Sequence, residues 1–129
     1  MTETILVLKI EVGRVPERVE IPRDLASMQS VVGGPIQAVY PFEEPVALVC
    51  HEEGKLEGLP LNRALRDEAG EIYDVIAGTF FLCGAPPEAE EFTSLTEAQL
   101  LRYERLFRCP EVFVSTENGL MYIGVIGTG

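Results

Sequence analysis

The stretch Gly58–Gly84, GLPLNRALRDEAGEIYDVIAGTFFLCG, decides the fold. Asn62, Arg63 and Arg66 sit among leucines, a turn signal follows at Asp67–Gly70, and the chain then becomes strongly apolar. Pro60 suits the first turn of a helix, where a missing N–H costs nothing. Residues 60–66 therefore read as a short helix. Residues 71–83 read as one long strand, with Gly78 as a bulge or a close backbone approach. On a helix, Asn62 and Arg66 are i,i+4 neighbours, and Arg63 and Arg66 are i,i+3. One short helix would then present three donor groups together at the rim of a sheet. Guanidinium groups bind phosphate or carboxylate bidentately. The same arginines can instead pair with Asp67, Glu68, Glu71 or Asp74 and tie the connector to the sheet.

Before this stretch, residues 4–12 partly alternate and are rich in Ile and Val, which reads as a strand. Gly13–Pro16 turn the chain, and 17–21 return it as a second strand. Asp24 is placed to cap a helix over 25–32, with Leu25, Met28 and Val32 on one face. Gly33 and Gly34 stop that helix and Pro35 prevents its continuation. Residues 36–40 and 46–50 read as strands around the acidic turn PFEEP, and His51–Lys55 as a turn. After the apolar run, 85–92 is an exposed acidic connector. Ser94 with Glu97 forms a capping-box pattern for a helix over 95–107, whose Leu100, Tyr103, Leu106 and Phe107 share a face. Glu104 and Arg108 are spaced to pair along it. Residues 111–115 and 120–127 form a hairpin about Asn118-Gly119. The order ββαββ(α)βαββ predicts one α+β domain over residues 1–129: a mostly antiparallel sheet with two main helices packed on one face.

The chain has 129 residues, 21 acids against 10 bases, and a formal net charge of −11. That balance argues against bare nucleic acid as a ligand, since phosphate neutralisation needs a basic patch. An acidic surface either keeps the protein soluble or imitates nucleic acid towards a basic protein. The apolar runs fall short of the roughly 20 residues that a membrane helix needs. The N-terminus has no basic region before its apolar stretch. A soluble cytoplasmic protein is expected. Cys50, Cys83 and Cys109 lack metal or redox spacing and read as core residues in a reducing compartment.

Catalytic signals are weak. His51 lies beside Cys50, but neighbours on a strand point to opposite faces and do not form a nucleophile–base pair. His51 reads as an exposed turn residue. There is no P-loop, G-x-S-x-G or H-E-x-x-H motif. Glu43-Glu44, Glu52-Glu53 and Glu88/Glu90/Glu91 lack the spacing of a calcium loop. No metal, no cofactor and no enzymatic activity are expected.

Val32-Gly33-Gly34, Tyr40-Pro41, Leu61-Asn62-Arg63 and Ala77-Gly78-Thr79-Phe80-Phe81, followed by the helix SLTEAQLLRYERLF, resemble a family of small proteins of unknown function. The family is found in phages, plasmids and integrative elements of Gram-positive bacteria. The resemblance covers about residues 20–113, with the C-terminal hairpin, 111–127, largely outside it. It implies no reaction. It does imply an accessory factor of a mobile element, acting in the host bacterial cytoplasm against host defences. Two readings follow. In the first, a homo-oligomer sequesters a small anionic ligand such as a nucleotide signal. Asn62, Arg63 and Arg66 hold phosphates, Tyr40, Tyr73 or Phe80 stacks on a base, and Thr79 joins them from the same motif. In the second, the acidic protein covers the basic groove of a host protein.

Overall fold

The computed structural model describes residues 3–117 and 119–125. The elements, in chain order, are β1 (Thr4–Ile10), β2 (Glu17–Pro22), α1 (Leu25–Val32), β3 (Ile36–Val39), β4 (Val46–His51), β5 (Leu61–Arg66), β6 (Ile72–Ala77), β7 (Phe80–Gly84), α2 (Glu97–Leu106), β8 (Glu111–Thr116) and β9 (Gly119–Val125). Five strands form an antiparallel sheet in the order β2-β1-β7-β4-β3. The hairpins β5-β6 and β8-β9 are separate two-stranded sheets. Asn118, the first residue of the expected hairpin turn, and residues 126–127 lie outside the described residues.

β4 and β7 are buried along their whole length. Their side chains still alternate between two cores, as the period of a strand requires. Leu8, Ile10, Val46, Leu48, Phe80 and Leu82 face one core, together with Leu65, Ile76, Leu100, Tyr103 and Phe107. Ile5, Val7, Ala47, Val49, Phe81 and Cys83 face the other, with Met28 and Val32. The helices therefore lie on opposite faces of the sheet, not on one face as expected. α1 covers one side, and α2 with the β5-β6 hairpin covers the other. A central strand buried on both faces reads as a continuous apolar run, and that pattern leaves open which helix goes where.

The segment 60–66 is a strand, not the expected helix. Burial overrides local propensity here, because residues 62–65 are all enclosed and residues 63–65 pair with β6. Pro60 stands just ahead of the strand, and its carbonyl accepts the Gly78 N–H at 2.7 Å. The expected single strand 71–83 is two strands in two sheets. Gly78, at φ +79°, turns the chain between them. That left-handed conformation is open to glycine at little cost.

The caps follow the same logic. Asp24 accepts the Ser27 N–H at 2.7 Å, and Gly33 closes α1 at φ +87°, both as expected. In α2 the capping box is made by Thr96 and Gln99, not by Ser94 and Glu97. The Ser94 hydroxyl instead accepts the Leu6 N–H at 2.8 Å, anchoring the connector to β1. Gly84 allows that connector to approach, since its backbone exchanges two hydrogen bonds with Thr93 at 2.7 and 2.8 Å. A Cβ at Gly84 would run into the Thr93 hydroxyl and lie 2.9 Å from the Ser94 carbonyl. Gly84→Ala is expected to lower stability by about 1–3 kcal/mol, read from the urea midpoint at unchanged slope.

Glu104 turns to Arg18 of β2 rather than to Arg108. Arg18 grips it through two bonds of 2.9 and 2.8 Å and reaches Glu97 as well. The bond from Arg18 holds the Glu104 carboxyl below its ordinary value of 4.5. The Tyr103 hydroxyl, at 2.7 Å, does most to lower Glu44 in the same way, helped by Arg102. Folded-state values below the unfolded ones mean that the unfolded chain binds more protons as the solution is acidified. This stabilisation is complete above the unfolded value and is lost as pH falls through the folded one. The melting temperature should therefore drop as pH falls below about 4.5, and Glu104→Gln should make that drop shallower.

Candidate functional site

Asn62 and Arg63 are fully buried. In a regular strand such neighbours would point to opposite faces. Here the pairing steps from Leu61↔Ala77 to Arg63↔Ile76, so Asn62 is the extra residue of a bulge. Both side chains can then enter the interior and meet. The Asn62 amide donates to the Ile10 and Gly78 carbonyls, each at 2.9 Å. Its side-chain oxygen accepts from Arg63 Nη1 at 2.8 Å.

The Arg63 guanidinium extends to the end of α2. Nε and Nη2 both donate to the Phe107 carbonyl, at 3.1 and 3.0 Å, and Nη2 also reaches the Arg14 carbonyl at 2.6 Å. Phe107 is the C-cap of α2. A cation there meets unpaired carbonyls and the negative end of the helix dipole. Burial pushes the Arg63 guanidinium below its ordinary value, and the Glu111 charge pulls it partly back. The two side chains thus join the ends of β1 and α2, the β1–β2 turn, and the corner between β6 and β7.

Arg66 is exposed at the end of β5 and donates to Glu111 at 3.1 Å. The Glu111 carboxylate also receives the Ala64 N–H at 3.3 Å. The three donors expected on one helix face are therefore separated, two inside the protein and one at the surface. Phe80 is buried and packs edge-on against Phe107, with ring centroids 5.6 Å apart, so its face is not offered to a base. Thr79 is half-buried in the corner after Gly78. Tyr40 and Tyr73 are 62% and 56% exposed.

Besides Asn62 and Arg63, which meet in the interior, the structure brings Arg66 and Tyr73 together. They line a cavity of about 140 Å³ with Pro41, Phe42, Leu106 and Glu111. They also line an adjoining open trough of about 740 Å³ with Pro41, Glu43, Asp67 and Glu68. A second trough, of about 650 Å³, continues on the far side of Phe42 and Glu43 towards Arg102, Arg105 and Leu106. Pro41, Phe42 and Glu43 form the partition. From the sequence these three residues belong to an acidic turn, with Pro41 in the Tyr40-Pro41 motif and Glu43 in an acidic pair, and Leu106 is expected on the apolar face of α2; none is expected to line a site. Leu106 is instead 59% exposed.

His51 is buried rather than exposed, because β4 runs one residue further and pairs His51 with Ile36. Its ring lies against Gly34, where a Cβ would collide with it. Its Nδ1 accepts the Glu53 N–H at 3.0 Å, and Nε2 faces Glu57 at 3.2 Å. It shares a small cavity of about 160 Å³ with Cys50, Lys55 and Asp74. The Cys50 thiol points its hydrogen to the Gln37 carbonyl. Burial raises the Cys83 thiol to about 12, so alkylating reagents should leave Cys83 unlabelled in the folded protein at neutral pH. Cys109 is half-buried. No cluster of three potential metal-binding side chains occurs among the described residues. Among them, too, no helix is long and apolar enough to cross a membrane.

A five-stranded antiparallel sheet carrying one helix on each face, with a separate hairpin stapled across one of them, defines an α+β domain. The chain belongs to the family described as Domain of unknown function (DUF3846), which it matches over residues 2–108. The β8-β9 hairpin lies beyond the matched residues. No curated protein and no solved structure matches the chain.

Proposed function

We propose that the protein is a non-catalytic binding module whose acidic surface covers a basic region of a protein partner. One observation carries this reading: eight of the ten bases are occupied, with Arg105 and Arg108 the exposed exceptions, whereas many of the 21 acids are not. Lys9, Arg14, Arg18, Arg23, Lys55, Arg66 and Arg102 face carboxylates of the same chain. Arg63 is consumed by carbonyls. Glu43, Glu52, Glu53, Asp67, Glu68 and Glu88 are exposed, with no basic partner among the described residues. Such a surface attracts cations over a Debye length and repels nucleotides. An origin on a phage, plasmid or integrative element and a counter-defence role in the host cytoplasm belong to this reading, supported by the resemblance of the motifs.

The small-anion reading keeps one favourable observation, the shared cavity of Arg66 and Tyr73. A homo-oligomer would have to supply the remaining donors, since Asn62 and Arg63 already hold backbone carbonyls.

Capture of basic proteins from bacterial lysate tests the proposal. Binding should fall steeply as salt rises from about 0.1 to about 1 M, where the Debye length shrinks from about 10 to about 3 Å. Salt-independent capture would overturn it. A nucleotide that raises stability by about 2.7 kcal/mol at 100 times its dissociation constant would replace it with the small-anion reading.

A further inference from the structure

We infer that the groove around Pro41–Glu43 is the docking site for an extended basic segment of a protein partner. The segment would place an arginine or lysine side chain on Tyr73 and an apolar side chain on Phe42 and Leu106. This rests on the acidic-module reading above and locates it.

The groove is built from contiguous parts. Pro41 and Phe42 form a ridge between the β5–β6 turn on one side and α2 on the other, and the cavities on both sides share its residues. The centre is apolar. Phe42 packs on Tyr103, with ring centroids 4.6 Å apart, and Leu106 projects beside it with most of its surface open. A half-buried phenylalanine and an exposed leucine around one small cavity resemble the anchor positions of binding surfaces, where large rigid side chains supply most of the affinity. Tyr73 closes the other end.

Charge selects the occupant. Of the three arginines that line the groove, Arg66 and Arg102 already face Glu111 and Glu44, and Arg105 lies on the α2 side, outside the cavities that Tyr73 lines. Glu43, Asp67 and Glu68 are left around the Tyr73 end, and all three are exposed. A cation above a tyrosine ring is attracted by the ring's electron-rich face, and nearby carboxylates add to this. A guanidinium also pairs with a carboxylate through two parallel bonds. An anionic or purely apolar occupant would leave these carboxylates desolvated and unpaired.

The test uses the full chain and a fluorescein-labelled nine-residue peptide carrying one leucine and three arginines, with two control peptides. One control replaces each arginine by citrulline, and the other replaces the leucine by serine. Tyr73→Ala should weaken binding of the parent peptide at least tenfold, and so should the pair Glu43→Gln with Glu68→Gln. Asp67 is left intact, because its carboxylate holds the turn through the Ala69 and Glu71 N–H groups at 2.9 and 3.0 Å. The pair Glu88→Gln with Glu90→Gln removes the same charge from the 85–92 connector and should change affinity less than twofold. Both control peptides should bind at least tenfold more weakly than the parent. Equal losses from the two charge pairs, or no loss with Tyr73→Ala, would overturn the groove while leaving an acidic module that binds diffusely. No binding of the parent peptide even at low salt would overturn the acidic-module reading itself.

Discussion

Arg63→Ala should cost the protein about 4 kcal/mol or more, a large part of the roughly 5–15 kcal/mol that holds a domain of this size together. The guanidinium supplies bonds to the Phe107 carbonyl, the Asn62 side-chain oxygen and the Arg14 carbonyl. Each buried acceptor left without a donor costs about 1–3 kcal/mol, and the cavity left by a fully enclosed side chain adds to that. Arg63→Lys should recover less than half of the loss. An ammonium keeps the charge but lacks the planar fork that sends donors to three separate places. Urea unfolding followed by circular dichroism measures both variants. A loss below about 1 kcal/mol for alanine would mean that Arg63 is not the staple the geometry makes it.

Asn62→Leu should cost about 3 kcal/mol, although the two side chains have the same number and branching of heavy atoms. The loss comes mostly from polar pairing, since the Ile10 and Gly78 carbonyls lose a donor each and Arg63 Nη1 keeps only the longer bond, 3.4 Å, to the backbone carbonyl of residue 62. Asn62→Asp isolates one part of this, keeping an oxygen for Arg63 while removing both donors. The two residues share a bond, so their effects should not add. The double variant Asn62→Leu with Arg63→Ala should be less damaging than the sum of the singles by about 1 kcal/mol or more. Strict additivity would show that the two side chains stabilise the fold independently.

These effects concern stability, although the same residues read in the sequence as ligand donors. An arginine pair with an asparagine between apolar residues has one appearance whether it is a site or a staple. The deciding fact is the bulge at Asn62, which turns two neighbours into the interior together. A bulge depends on the pairing of β5 with β6, and no local pattern in residues 60–66 announces it. His51 shows the same limit. One further rung of pairing with β3 buries it against Gly34. The groove was hidden for another reason. Its lining comes from three distant segments, around residues 41–43, 66–73 and 102–107.

The sequence by itself determined what depends on near neighbours. Partial alternation marked β1, short runs between turn signals marked β2 and β4, Asp24 and Gly33 bounded α1, and the apolar face of α2 identified the helix. It also set the acidic surplus, which no folding can change. The tertiary structure decided the rest. It sent the helices to opposite faces of the sheet, broke 71–83 into two strands at Gly78, and moved the α2 cap from Ser94 to Thr96. It turned Asn62 and Arg63 inward and left Tyr73 and Arg66 outside. The helices follow from a central sheet that must be covered on both faces, and Asn62 and Arg63 turn inward because a buried polar group must find its partner wherever the chain provides one. Here those partners, the carbonyls of Ile10, Arg14, Gly78 and Phe107, lie far away in sequence.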